Sequence, residues 1–119
     1  MILIVADSGG LARIWARHLQ RQNNDVLVAT SQNEATFHVR QHNVDVVVLD
    51  LMLKDGSAFL VADYVSYRQP DARIVFVTRT GFFSDGSLFQ QVPNTAAILQ
   101  ANTAPSDVAE IVSYHGRPC

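Results

Sequence analysis

Val46-Val47-Val48-Leu49-Asp50 decides how the rest of the chain is read. Four successive apolar residues, three of them β-branched, leave no polar face. The run from Val46 to Leu49 therefore reads as a strand covered on both sides of its sheet. Working outward, similar short runs occur at Ile2 to Ala6, Val26 to Ala29, Ile74 to Val77 and Ala96 to Leu99. Between them, apolar residues recur at helical spacing. Buried strands that alternate with helices imply parallel βαβ crossovers, hence a doubly wound α/β fold with a five-stranded parallel sheet and five flanking helices.

The first helix should present Leu11, Ile14, Trp15, His18 and Leu19 to the sheet, with Arg13, Arg17 and Arg21 as a solvated row. Ser31 followed by Glu34 predicts the start of the second, since the hydroxyl and the carboxylate can satisfy backbone N–H groups reciprocally. Its inner face is expected to carry Ala35, His38, Val39 and His42. His38 and His42 are one turn apart but have no evident third ligand, so they read as packing and rim residues, not a zinc site. The third helix should start after Gly56 and stop at Gln69-Pro70. Gly81 to Asn94 predicts a stunted fourth helix, and Val108, Ile111 and Val112 the inner face of the fifth.

With 119 residues, a formal charge of −2, 48% hydrophobic and 17% charged residues, the chain is expected to be one domain, residues 1–119. It lacks the basic excess that phosphate contacts demand, which argues against nucleic acid as a partner. The lone Cys119 offers neither an internal disulfide nor a thiolate metal site, and the opening apolar run is cut by Asp7, far short of a membrane span. A cytoplasmic location with no membrane contact is the expectation.

Ligands of an open parallel sheet bind beyond the carboxyl ends of its strands. Those positions hold Asp7-Ser8-Gly9-Gly10, Asp50-Leu51-Met52, Thr78-Arg79-Thr80 and Gln100-Ala101-Asn102. If the first and third strands are neighbours, Asp7 and Asp50 bring two like charges together and call for a cation or a proton. Oxygen-only ligands at a wet rim suit Mg²⁺. A carboxylate beside such an ion can be a nucleophile toward a phosphoryl group, with Thr78 donating to that phosphate. The bland alternative is that both aspartates cap the helices after them.

Ile2-Leu3-Ile4-Val5-Ala6-Asp7, Val48-Leu49-Asp50-Leu51-Met52-Leu53-Lys54-Asp55-Gly56 and Val75-Phe76-Val77-Thr78 resemble a bacterial response-regulator receiver domain, over nearly the whole chain. The resemblance implies a flavodoxin-like sheet of order 2-1-3-4-5. It also implies that Asp50 is the phosphoacceptor, that Asp7, Asp50 and the Met52 carbonyl hold Mg²⁺, and that Thr78 is the switch hydroxyl. The donor would be a histidine kinase or phosphotransfer protein, and the output a protein partner or homodimer through helix four, strand five and helix five.

The chain departs from the pattern in several places. Ala6 stands where a second acidic residue is usual, Lys54 where Pro is usual, and Ile98 at the aromatic switch position. The active-site lysine is replaced by Gln100 or Ala101, and Lys54 is the sole lysine. Arg79 follows Thr78 and is a candidate surrogate cation or lid over Asp50. Phe82, Phe83 and Phe89 lie nearby and read as core or as a partner patch. Two functions compete: a divergent receiver phosphorylated on Asp50, and a pseudo-receiver that binds a partner or dimerises without phosphorylation. A third, a nucleotide-binding or phosphohydrolase domain using Asp7-Ser8-Gly9-Gly10 as an anion cradle, lacks both a P-loop lysine and a dinucleotide fingerprint.

Overall fold

The computed structural model of the protein describes residues 1–7, 10–78 and 94–116. Its strands are β1 (Ile2–Val5), β2 (Val26–Ala29), β3 (Val46–Asp50), β4 (Arg73–Thr78) and β5 (Thr95–Gln100). They form one parallel sheet of order β2-β1-β3-β4-β5, as expected. The described residues hold four helices: α1 (Gly10–Arg21), α2 (Gln32–Gln41), α3 (Ala58–Arg68) and α4 (Pro105–Gly116). That is one fewer than the five expected. The stunted helix expected over Gly81 to Asn94 falls, Asn94 apart, outside the described residues, as do Arg79 and Phe82, Phe83 and Phe89. The last expected helix is α4.

All residues of β3 are buried, because the two faces of the sheet meet different apolar layers. Val47 and Leu49 join Leu3, Val5, Ile74 and Phe76 against α2 and α3. Val46 and Val48 join Ile2, Ile4, Val75 and Val77 against α1 and α4. On β5, Ala96 is an extra residue, since Thr95 pairs with Ile74 but Ala97 pairs with Val75. This bulge turns Ile98 toward the α3 layer, in register with Phe76, and Leu99 toward the α4 layer.

The buried face of α1 is Ala12, Trp15, Ala16 and Leu19, a strict i, i+3, i+4, i+7 row. The expected face is corrected here, because Ile14 is 42% exposed and Leu11 only half-buried. Two alanines, Ala12 and Ala16, thus share the inward face with Trp15 and Leu19, and Ile14 does not. Arg13, Arg17 and Arg21 are exposed, as read.

The start of α2 is also as read, with one shift. Ser31 Oγ accepts from Glu34 N–H at 3.1 Å, but the Glu34 carboxylate reaches past the cap to Thr30, at 3.3 Å from its N–H and 2.6 Å from its hydroxyl. Ala35 and Val39 are buried, while His38 is half-buried and His42 is exposed just past the helix end. His42 thus lies off the expected inner face. Gln69, past the end of α3, ties the two helix ends together: its Nε2 donates to Val39 and His42 carbonyls at 2.7 Å, and its Oε1 accepts from Val44 N–H at 2.8 Å. On α4, Val108 and Val112 are buried as expected, joined by Ala109 and Ser113, and Ile111 is half-buried.

Candidate functional site

The sheet order sets the site. Because β1 and β3 are neighbours and parallel, with Val5 opposite Leu49, both strands leave the sheet at the same end. Asp7 and Asp50 are therefore brought to one rim. Asp50 is the last residue of β3, 1% exposed, and opposite Val77 of β4. Thr78, also buried, ends β4 on the same rim. Of the residues expected at the site, Asp7, Asp50, Met52 and Thr78 are thus gathered at one end of the sheet, and Arg79 lies outside the described residues.

The segment 51–57 between β3 and α3 joins the two carboxylates. Met52 N–H donates to Asp50 Oδ1 at 2.9 Å, and Lys54 N–H donates to Asp7 Oδ1 at 3.0 Å. Leu51 N–H continues the sheet to Val77 O at 2.9 Å, and Leu53 is buried in the α2 and α3 layer. Each aspartate is thus held by a backbone donor two to four residues beyond β3.

The second oxygen of Asp7, Oδ2, is shut from solvent and accepts no hydrogen bond. A buried carboxylate oxygen with no donor is costly, and a hard cation offsets that cost. No group of three acidic, histidine or cysteine side chains that could hold a metal occurs among the described residues. Two carboxylates and a carbonyl are a poor cage for zinc or a tight calcium site. They fit Mg²⁺, which keeps several waters and takes one or two carboxylates together with phosphate oxygens. The Met52 side chain is 52% exposed, so any contribution to such a site comes from its backbone.

Two departures read from the sequence gain a location. Ala6, buried beside the end of β1, donates its N–H to Ala29 O at 3.0 Å and offers no second acidic group. Gln100 pairs with Thr78 at the end of β5, and Ala101 N–H donates to Thr78 O at 2.8 Å. The described part of the strand-five rim next to Thr78 therefore carries an amide and a methyl group, as read from Gln100 and Ala101. Sequence reading missed the two loop N–H donors, and it missed Gln32, whose Oε1 accepts from Ser57 N–H at 2.9 Å behind the loop. Gly56 had marked the turn, but nothing in the pattern singled out Gln32.

The fold is shared with many solved structures. The non-phosphorylated HemR receiver domain from Leptospira biflexa is 24% identical, with a TM-score of 0.85 over 99% of this chain and 97% of that one. The response regulator TrrA from Thermotoga maritima, solved with Mg²⁺ and BeF, is 20% identical, with a TM-score of 0.81 over 96% of both chains. A response regulator from Burkholderia pseudomallei, solved with a phosphorylated aspartic acid, calcium ion and citrate, is 20% identical, with a TM-score of 0.81 over 97% of this chain and 67% of that one. At these identities the likeness is one of fold. No curated protein sequence matches the chain. A sequence model of the response regulator receiver domain matches residues 2–90. That match takes in β1 through β4 with both rim carboxylates, well over half of the chain, and the chain therefore belongs to the response regulator receiver domain family.

Proposed function

We propose that this receiver domain takes a phosphoryl group on Asp50 from a histidine kinase or phosphotransfer protein, slowly for its family, and signals by the change that follows. The observation that carries this reading is the pair of rim carboxylates held by one loop, Asp50 by Met52 N–H and Asp7 by Lys54 N–H, with Asp7 Oδ2 buried and unpartnered. Asp7, Asp50 and the Met52 carbonyl would hold Mg²⁺, which, when bound, neutralises charge on the transferring phosphoryl oxygens. An Asp50 oxygen forms the new O–P bond as the P–N bond of the donor phosphohistidine breaks. The electron pair of that bond stays on the imidazole nitrogen. Thr78 is proposed to donate its hydroxyl to the phosphoryl oxygens, and Arg79 to supply the missing cation or to cover the site. The relatives solved with Mg²⁺ and BeF or with a phosphorylated aspartic acid support the same chemistry by analogy.

The rate should be low because Ala6 removes one carboxylate and Gln100 or Ala101 stands where a lysine ammonium would steady the phosphoryl group. The same rim favours a second reading, a pseudo-receiver that binds a protein partner or a second copy through β5 and α4 regardless of phosphorylation. In either case we place the protein in the cytoplasm, as one signalling domain without catalytic turnover of its own and without nucleic-acid or membrane partners. No helix among the described residues is long and apolar enough to cross a membrane. A ¹⁵N NMR titration with Mg²⁺ and then beryllofluoride separates the two. Shifts at Asp7, Asp50 and Thr78 that spread to β5 and α4, and vanish in Asp50→Asn, are expected of the phosphorylated switch. Silence with both additions would leave the constitutive module.

A further inference from the structure

The loop that carries Met52 and Lys54 is gripped from behind by one side chain. Gln32, the first residue of α2, donates its backbone N–H to Asp55 O at 2.9 Å, and its Oε1 accepts from Ser57 N–H at 2.9 Å. Between these two bonds, Gly56 adopts φ +114, and a Cβ placed there would come within 2.3 Å of Gln32 Cβ. Residues 55, 56 and 57 are therefore all pressed against Gln32. On the other side the same loop meets the rim carboxylates through Met52 N–H and Lys54 N–H. Its one buried apolar anchor in between is Leu53.

We propose that Gln32 is a positioning residue for the rim site, holding the loop in the curve that aims the Met52 carbonyl at the cation position beside Asp7 and Asp50. This rests on the reading of those three groups as the Mg²⁺ ligands. Mg²⁺ demands near-ideal octahedral geometry, so a carbonyl displaced by a fraction of an ångström binds it less well. The side-chain carbonyl of Gln32 bonds Ser57 N–H, the cap of α3, and its backbone N–H bonds Asp55 O, so the first turn of α2 and the start of α3 both meet the site loop at this one residue. Coupling of this kind is reciprocal: what Gln32 does for the cation, the cation does for the first turn of α2.

The test uses the full chain, labelled with ¹⁵N and titrated with MgCl₂, as wild type, Gln32→Met and Gln32→Glu. Met keeps the stem and length but loses the acceptor, and Glu keeps both. In the wild type the side-chain amide of Gln32 should shift in step with the amides of Met52 and Lys54. Gln32→Met should raise the Mg²⁺ dissociation constant by roughly threefold to tenfold, the range expected from the net worth of one hydrogen bond. Gln32→Glu should restore it to within about twofold of wild type. A purely structural role would lower the urea midpoint of Gln32→Met and leave the dissociation constant unchanged, which overturns the proposal. So does a Gln32 side chain silent to Mg²⁺, an outcome readable in the wild type even if a variant fails to fold. Met52 and Lys54 amides that ignore Mg²⁺ in the wild type would instead bring down the cation site itself, and the positioning role with it.

Discussion

Two residues at the rim illustrate how little of a side chain's job is visible in its type. Asp50 has the same composition value as any aspartate, yet it ends a strand with no exposed residue and takes Met52 N–H on Oδ1. Asp50→Asn should keep this N–H contact through its amide oxygen, and so keep the fold, while abolishing transfer from a small-molecule phosphodonor such as acetyl phosphate; retained incorporation of ³²P in the variant would move the phosphoacceptor elsewhere. Gly56 is held by two independent restraints, a φ that side-chain-bearing residues avoid and the Gln32 stem at its back. Gly56→Ala is expected to cost roughly 1–3 kcal/mol in urea unfolding, and a neutral outcome would mean that the loop relaxes away from α2. The sequence announced Gly56 through its place in Lys54-Asp55-Gly56. It did not announce Gln32, because a glutamine at a helix start has no periodic or capping signature.

At the scale of elements, the parts written in short-range chemistry were the legible ones. The Ser31 cap was readable from spacing alone, and Ser31→Ala should cost about 1 kcal/mol in chemical denaturation. The Glu34 carboxylate, bonded by the Thr30 hydroxyl and then by its N–H, lies below its ordinary 4.5. Its contribution is therefore complete above the unfolded value and is lost as pH falls through the folded one. Strand centres were equally legible, since β2 matches its reading of Val26 to Ala29. The others differ by a residue at one or both ends. Helix faces were harder. Reading Leu11, Ile14, Trp15, His18 and Leu19 as the inner row of α1 placed Trp15 and Leu19 correctly but put Ile14 inside, whereas Ala12 and Ala16 complete the buried row. Such a choice depends on what lies across the interface, which no single helix encodes.

For the molecule as a whole, the alternation of five apolar runs with helical segments was sufficient to give the parallel layout, and the resemblance of three motifs gave its order. What stayed illegible was tertiary: the bulge at Ala96, the bridge from Gln69 to the end of α2, and the environment of His115. His115 is held below its usual 6.5, first by burial and second by the positive charge of Arg73. The unfolded chain therefore binds more protons than the folded one below about pH 6.5, so stability should fall as pH drops through the window under that value and level off beneath the folded pKa. Urea midpoints measured from about pH 7.5 to 5 should decline, and His115→Gln should flatten that decline. An unchanged slope in the variant would assign the proton uptake to another group.

The uniform burial of β3 has one more consequence. Val46, Val47, Val48 and Leu49 would each be at home in either apolar layer, so hydrophobicity alone does not choose between the observed alignment and one displaced by a residue. Inward displacement would drag the Asp50 carboxylate between the apolar layers, where a charge is heavily penalised, and would part Leu51 N–H from Val77 O and Lys54 N–H from Asp7 Oδ1. The central strand thus carries its own alignment mark at its end. During folding, before any donor protein is met, the residue proposed to receive the message also tells the sheet where to stop.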